Sequence, residues 1–373
     1  MKNFLAVIMV SLMATILLKA IVVFVHLFMA TFLSFVTILH YLIHRPHVVY
    51  LRLGLGNETY YPPSAWYIPP GYCLSKTRDE AEMVIFTIID ELLVKTRLNP
   101  DVIDILIVNC SLFNPTPSLA DMIMRKFKLR GDIRIAQLFG MGCSTGIISV
   151  DLARNILQTM PYGAHALHEM LVTNALFRTS GAVVLLSTSR TKARFQLLHI
   201  TRKSTGAKDN AYRCVFQQED DEGYLGIHLS KALLDIAELL SFLFSSITRK
   251  LFNTRTELYI PDFSKAFKHF CIHAGGRVVI DGVQRSLSLS YKHVEPSRMT
   301  LYRYGNTSSS SLWYDLAYTE AKGQMRKGDR VLMVGFGSGY KCNSAIWKCI
   351  QSIQNVDRAW ADCIHRYLVD VFK

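Results

Sequence analysis

Phe139-Gly140-Met141-Gly142-Cys143-Ser144-Thr145-Gly146 sets a cysteine behind two glycines and ahead of an amphipathic run from Ile147 to Gln158. Two glycines permit a tight, strained turn. The run after them predicts a helix starting at about Ser144. A thiol at a helix N-terminus faces the positive end of the dipole, which favours the thiolate, the form that attacks carbonyl carbon. The geometry would be that of a nucleophile elbow with sulfur in place of oxygen. The alternative is that Cys143 is only a small residue filling a turn.

A second stretch is His269-Phe270-Cys271-Ile272-His273-Ala274-Gly275-Gly276. Alternation along a short strand puts His269, Cys271 and His273 on one face. That set could be read as metal ligands. Three ligands on neighbouring strand positions are cramped, however, and no Cys/His pair at finger spacing accompanies them. We therefore expect no metal. His273, ahead of a Gly-Gly turn, sits where an imidazole can enter a pocket as acid or base. A satisfied core histidine is the other reading of it.

The third stretch is Tyr304-Gly305-Asn306-Thr307-Ser308-Ser309-Ser310-Ser311-Leu312-Trp313. Its serines have the composition of a linker. Leu312 to Lys322 nevertheless reads as a helix, so the serines can be its cap, with Asn306 just upstream. A side-chain amide there could donate hydrogen bonds to a substrate carbonyl. The fourth, Gly335-Phe336-Gly337-Ser338-Gly339, follows the apolar run Val331–Val334. It resembles a dinucleotide loop, but its third glycine comes one residue early and no clear βαβ unit follows. A glycine loop that brings backbone close to a bound thioester fits as well.

These residues need a scaffold, and the chain supplies alternating helix and strand signals. Thr77 to Thr96 has helical periodicity, stopped by Asn99-Pro100. Ile105 to Val108 is a continuously apolar run, as expected of a strand buried on both faces. Pro115 and Pro117 break the chain, and Ser118 can cap a helix to about Phe127. Ala182–Leu186 and Val331–Val334 are further buried strands. Alternation of this kind predicts an α/β fold with largely parallel sheets.

Half of the 373 residues are hydrophobic and 19% are charged, so the chain can bury a large core. Mean hydropathy is +0.20. Residues 4–43 are almost unbroken apolar sequence. Ile21 to Ile43 alone would make about 35 Å of helix, enough to cross a hydrocarbon core of about 30 Å. The stretch is too long for a cleaved signal peptide and runs straight into His44-Arg45-Pro46. We expect one or two retained spans within residues 1–47, with the remainder on the cytosolic side near Arg45. Net charge is +13, and residues 1–47 contribute only Lys2, Lys19 and Arg45 to it. A basic surplus of this size suits a polyanionic partner such as an anionic membrane face or coenzyme A. The bases are scattered without a basic run, which argues against nucleic acid. Eight cysteines without a CxxC pair read as reduced thiols, mostly buried.

Asn109-Cys110-Ser111-Leu112-Phe113-Asn114-Pro115-Thr116-Pro117-Ser118-Leu119, the Gly140–Ser144 turn, residues 269–277, 305–311 and 335–347 together resemble the plant 3-ketoacyl-CoA synthases, the condensing enzymes of very-long-chain fatty-acid elongation. The resemblance spans most of residues 45–370. It implies a thiolase-like α/β fold of two similar halves, 48–235 carrying the cysteine and 236–373 the histidine and asparagine. It implies Cys143 as acyl acceptor, with His273 and Asn306 as its catalytic partners. His269 matches a second histidine of that family, and Gly335, Gly337 and Gly339 a substrate-binding loop. No cofactor is implied beyond the substrates acyl-CoA and malonyl-CoA. The implied setting is the endoplasmic reticulum membrane with the catalytic domain facing the cytosol, beside other elongase subunits; a homodimer is left open.

The chain departs from that pattern in places. Lys203-Ser204-Thr205-Gly206-Ala207-Lys208 stands where the family has a histidine, and Tyr302 replaces another. It is short at 51–53, at 161–169 and at 237–242. Pro161 to His168 offers no β-branched run, so the strand due after the Ile147 helix is expected to be missing. That expectation supports an alternative function: a catalytically impaired, membrane-bound homologue that binds elongase subunits.

Overall fold

The computed structural model describes residues 54–56, 59, 73–160, 165–171, 180–191, 193–219, 225–230, 262–351 and 358–367. These belong to one compact unit that begins at Gly54. The apolar segment expected to anchor the chain, and the shortened stretches at 51–53 and 237–242, lie outside the described residues. Among the described residues no helix is long and apolar enough to cross a membrane.

Helix α1, Leu74–Thr96, buries Ala81, Ile85 and Ile89 at helical spacing and ends at Arg97, which takes a left-handed conformation with φ 55°. Strand β1 is Ile105–Cys110, buried throughout. Helix α2, Leu119–Phe127, starts with a capping box in which Ser118 and Asp121 satisfy each other's backbone N–H. Strand β2 is Arg134–Phe139 and helix α3 is Thr145–Leu157. Strands β3, His165–Leu171, and β4, Gly181–Ser187, complete a sheet of order β2-β1-β3-β4. In it β1 runs parallel to both neighbours, and β4 is antiparallel to β3.

β3 corrects the sequence expectation of a missing strand. It has few β-branched residues, but its register is fixed from both sides by β1 and β4. Its first residue is pinned as well: the His165 N–H donates to Asp104 Oδ2 at 3.0 Å, and the Asp104 N–H donates back to the His165 carbonyl at 3.0 Å. Ala166 and Leu167 are buried. Strand propensity measures fit to a half-buried surface, and a central position can supply that fit without β-branching.

The second sheet has the order β5-β10-β9-β8. Its members are β5, Phe195–Ser204; β8, His269–Ile272; β9, Arg330–Gly337; and β10, Lys341–Cys349. β8 and β9 are parallel, whereas β10 is antiparallel to both β9 and β5. A separate antiparallel hairpin joins β6, Val215–Glu219, to β7, Leu225–Leu229. The sheets are therefore mixed rather than mostly parallel. The expectation failed because β9 and β10 are linked by a turn of three residues, 338–340, too short for a parallel crossover.

Helix α3 lies between the sheets. Ala153 and Leu157 pack with Ile105, Ile107 and Ala166 of the first, while Ile147 and Val150 pack with Ile200, Met333 and Ala345 of the second. A helix buried nearly all round is one that two layers enclose. Helices α4, Arg277–Ser286, α5, Tyr291–Tyr304, and α6, Ser311–Ala321, follow β8.

Asp315 of α6 is fully buried. Its Oδ2 accepts from Ser297 Oγ at 2.7 Å, and that oxygen in turn accepts the Ile272 N–H at 2.9 Å, beside His273. Burial pushes the Asp315 carboxyl up from 3.8 to about 7. A raised acid contributes stability that is present below its unfolded value and lost as pH rises through the folded one. Asp315→Asn keeps an oxygen for Ser297 and removes the titration. Thermal unfolding of the full chain should therefore show the wild type losing Tm as pH rises from about 4 to about 7, and the variant losing much less.

Candidate active site

Cys143 sits on the turn that the sequence predicts. Gly140 and Gly142 take φ values of +64° and +76°, and Ser144 is the residue preceding α3. The turn is held down by the loop after β9. A Cβ on Gly142 would come within 2.5 Å of the Ser338 backbone nitrogen. One on Gly337 would lie 2.7 Å from Ser144 Oγ and 3.2 Å from the Cys143 nitrogen. Gly335 and Gly337 thus let β9 pass directly beneath the cysteine turn, whereas Gly339, with φ +65°, forms the bend into β10. Gly337→Ala should push the turn upward. A displacement near 1 Å costs about 100-fold in rate, so acylation of Cys143, followed by intact mass, should slow by about that factor.

His273 follows β8 directly, its N–H bonded to the Val334 carbonyl of β9 at 2.9 Å. Its Nδ1 lies 2.9 Å from Ser311 Oγ, and its Nε2 edge faces Gly275, where a Cβ would stand 2.9 Å away. Asn306 Nδ2 donates to the Gly275 carbonyl at 3.2 Å, so the imidazole and the amide share Gly275 as a floor. Asn306 Oδ1 accepts the Ser308 N–H at 2.9 Å. The Ser308 side chain lies close enough to pull the Cys143 pKa down, and the Ser308 backbone close enough to pull that of His273 up. Cys143, His273 and Asn306, well over 100 positions apart in sequence at their extremes, all meet Ser308.

The serine run is neither linker nor simple cap. Ser308 to Ser311 are fully buried, and each reaches a different residue. Ser308 pairs with Ser111 at 3.0 Å, and Ser309 donates to Asn109 Oδ1 at 3.2 Å. Ser310 pairs with Ser180 at 2.9 Å, and Ser311 with His273. Ser310 precedes α6 but makes no side-chain cap bond. Sequence reasoning missed Ser308 and Ser311 as site residues. The available signal was that a buried hydroxyl must find a partner, so four in a row imply four partners nearby.

Burial governs the electrostatics. It pushes the Cys143 thiol up from 9.0 to about 11, against the pull of the Ser308 hydrogen bond. It pushes His273 down from 6.5 to about 4. Desolvation of the thiol thus acts against the pull that the helix N-terminus exerts towards the thiolate. Both shifts favour the uncharged forms of the thiol and the imidazole.

His269 is not brought to this cluster. It opens β8, and its Nε2 lies 2.9 Å from Asp329 Oδ2. Cys271, between the histidines, is buried in the core. Among the described residues no group of three or more His, Cys, Asp or Glu side chains could hold a metal ion. The Tyr302 ring lies against Gly56 and meets Tyr367 edge-on.

A cysteine turn leading into a helix between two mixed sheets, with a histidine after a strand of the second sheet and an asparagine in the following helix–helix loop, is arranged as in the thiolase-like fold. The fold comparison agrees: CsyB, crystallised with CoA-SH, superposes with a TM-score of 0.71 at 17% identity, over 82% of this chain and 91% of that one. The FAE1/Type III polyketide synthase-like protein family matches residues 42–249, and the 3-oxoacyl-[acyl-carrier-protein] synthase III C-terminal family matches 264–349. Two relatives from Arabidopsis thaliana, 3-ketoacyl-CoA synthase 5 and 3-ketoacyl-CoA synthase 6, are 51% and 50% identical in alignments that cover 85% of this chain and 72% of each of theirs. The chain belongs to the 3-ketoacyl-CoA synthase family and is a condensing acyltransferase.

Proposed function

We propose that this chain condenses malonyl-CoA with a long-chain acyl-CoA to give a very-long-chain 3-oxoacyl-CoA, using Cys143, His273 and Asn306. The observation that carries the assignment of residues is their convergence on Ser308. Cys143 gives its proton to His273, and the thiolate takes the acyl group from acyl-CoA. Malonyl-CoA then binds with its thioester carbonyl between His273 and Asn306. Loss of CO2 leaves an enolate whose oxygen both groups stabilise. The enolate carbon attacks the Cys143 thioester and releases a product two carbons longer. The sequence of steps needs no cofactor beyond its two substrates.

The same reading puts the enzyme in the endoplasmic reticulum membrane, with residues 48–373 as two thiolase-like halves in the cytosol that meet near 235/236, in company with other elongase subunits. The apolar run of residues 4–43 and the basic surplus outside it support this. The ground for an impaired homologue weakens once β3 occupies the place where a strand was expected to be lost. The test is expression in microsomes with C16–C24 acyl-CoAs. Malonyl-CoA-dependent products two carbons longer are expected, and output equal to membranes lacking the chain would overturn the assignment.

A further inference from the structure

The two half-reactions ask opposite things of His273. Acyl loading needs an acceptor for the Cys143 proton, whereas decarboxylation needs a donor to the malonyl oxyanion. Ser311 decides which nitrogen starts with the hydrogen. Its hydroxyl donates to the Ser308 carbonyl at 2.8 Å, and a carbonyl can only accept. The same oxygen accepts the Ala274 N–H at 3.3 Å and lies 2.9 Å from His273 Nδ1. With its one hydrogen on the Ser308 carbonyl, Ser311 Oγ meets Nδ1 only as an acceptor, an arrangement that satisfies the carbonyl, the hydroxyl and an Nδ1–H together. Nε2 is then bare, and it is the Nε2 edge that faces Gly275, the residue whose carbonyl holds Asn306.

We propose that Ser311 is a positioning residue that locks resting His273 in its Nδ1–H tautomer, so that Nε2 first accepts the Cys143 proton and then, as imidazolium N–H, serves as the oxyanion donor. This rests on the function proposed above. In loading, the Cys143 S–H bond breaks and an Nε2–H bond forms. The thiolate's electron pair makes the new thioester, and CoA leaves as a thiolate that takes its proton from solvent. The incoming malonyl carboxylate places a negative charge near the ring and favours its protonated form. CO2 departs while Nε2–H and Asn306 hold the oxyanion. The enolate's electron pair forms the carbon–carbon bond, Cys143 is expelled as thiolate, and Nε2–H returns to it. One solvent proton is consumed per turnover, as the conversion of a malonyl carboxylate and an acyl-CoA into CO2 and CoA thiol requires.

Two readouts test this on full-length enzyme in detergent. The first is the ¹⁵N spectrum of histidine-labelled protein, with His273 assigned by its loss in His273→Gln. A protonated Nδ1 and a bare Nε2 are expected, and the opposite tautomer overturns the proposal. The second is single-turnover CoA release from acyl-CoA. A hydrogen bond to a group that becomes charged is worth about 10- to 100-fold in rate. Ser311→Ala should lose that much in loading rate with an unchanged KM for acyl-CoA, and Ser311→Thr, which keeps the hydroxyl, should recover most of it. Loading by Ser311→Ala at the wild-type rate would also overturn it. If circular dichroism shows Ser311→Ala unfolded, the wild-type tautomer decides the matter. A Cys143→Ala protein that still accepts acyl groups would sink the underlying function, whereas a Cys143-dependent enzyme with the opposite tautomer would sink only this inference.

Discussion

Cys143→Ala should abolish elongation, by about 10⁴-fold or more, yet leave measurable release of CO2 from malonyl-CoA. Removing the nucleophile of a covalent mechanism is among the costliest single changes an active site can suffer. No other thiol is placed to substitute. Among the free cysteines Cys73 lies exposed just before α1, and the remaining six are buried. Decarboxylation asks only for donors to the malonyl oxyanion. Asn306 keeps its bonds to Gly275 and Ser308 when Cys143 is replaced, and His273 keeps Ser311. The imidazole, however, no longer receives the thiol proton and must take one from solvent. Its basicity is depressed by burial, so the variant's decarboxylation should climb as pH falls from 8 to 6. Labelled CO2 release beside elongation measures both activities. Elongation that survives in Cys143→Ala would dismiss the cysteine as nucleophile.

The parts of this site that were legible in the sequence are those dictated by local chemistry. Gly140 and Gly142 announce a turn that only positive φ can make, and the amphipathic run behind Cys143 announces α3. Ser118 marks the start of α2 to the residue. What escaped is set by contacts across long separations. β3 is a strand because β1 and β4 flank it, and nothing within Pro161–His168 says so. The serine run has the composition of a linker, yet its hydroxyls reach Ser111, Asn109, Ser180 and His273, which lie 38 to 200 positions away. The Cys143 pKa runs against the local reading for a similar reason. The helix N-terminus is visible in the sequence, but the enclosure of the turn by β9 and Ser308, which desolvates the thiol, is not. Gly337 shows both sides: its motif was recognisable as a close-approach loop, while the backbone it approaches proved to be that of Ser144 and Cys143.

Asn306→Ala should produce the mirror image of the cysteine variant, with decarboxylation and condensation down by about 10²- to 10³-fold and acyl loading within about tenfold of wild type. A single preorganised donor to a developing oxyanion is worth that much, and loading makes no use of it. The amide has two ends, and the structure gives each a task. Nδ2 donates to Gly275 and has a second hydrogen, and Oδ1 receives the Ser308 N–H. Alanine deletes both. Asn306→Asp separates them, because a carboxylate still accepts from Ser308 but cannot donate while ionised. It also sets a negative charge where the enolate forms. If Asn306 acts on the oxyanion, aspartate should be at least as damaging to decarboxylation as alanine, while loading in Asn306→Asp stays near wild type. If instead Asn306 acts only by bracing the Ser308 backbone, aspartate should rescue both half-reactions. Single-turnover CoA release and CO2 release, measured on the two variants side by side, distinguish a donor to the transition state from a strut beneath it.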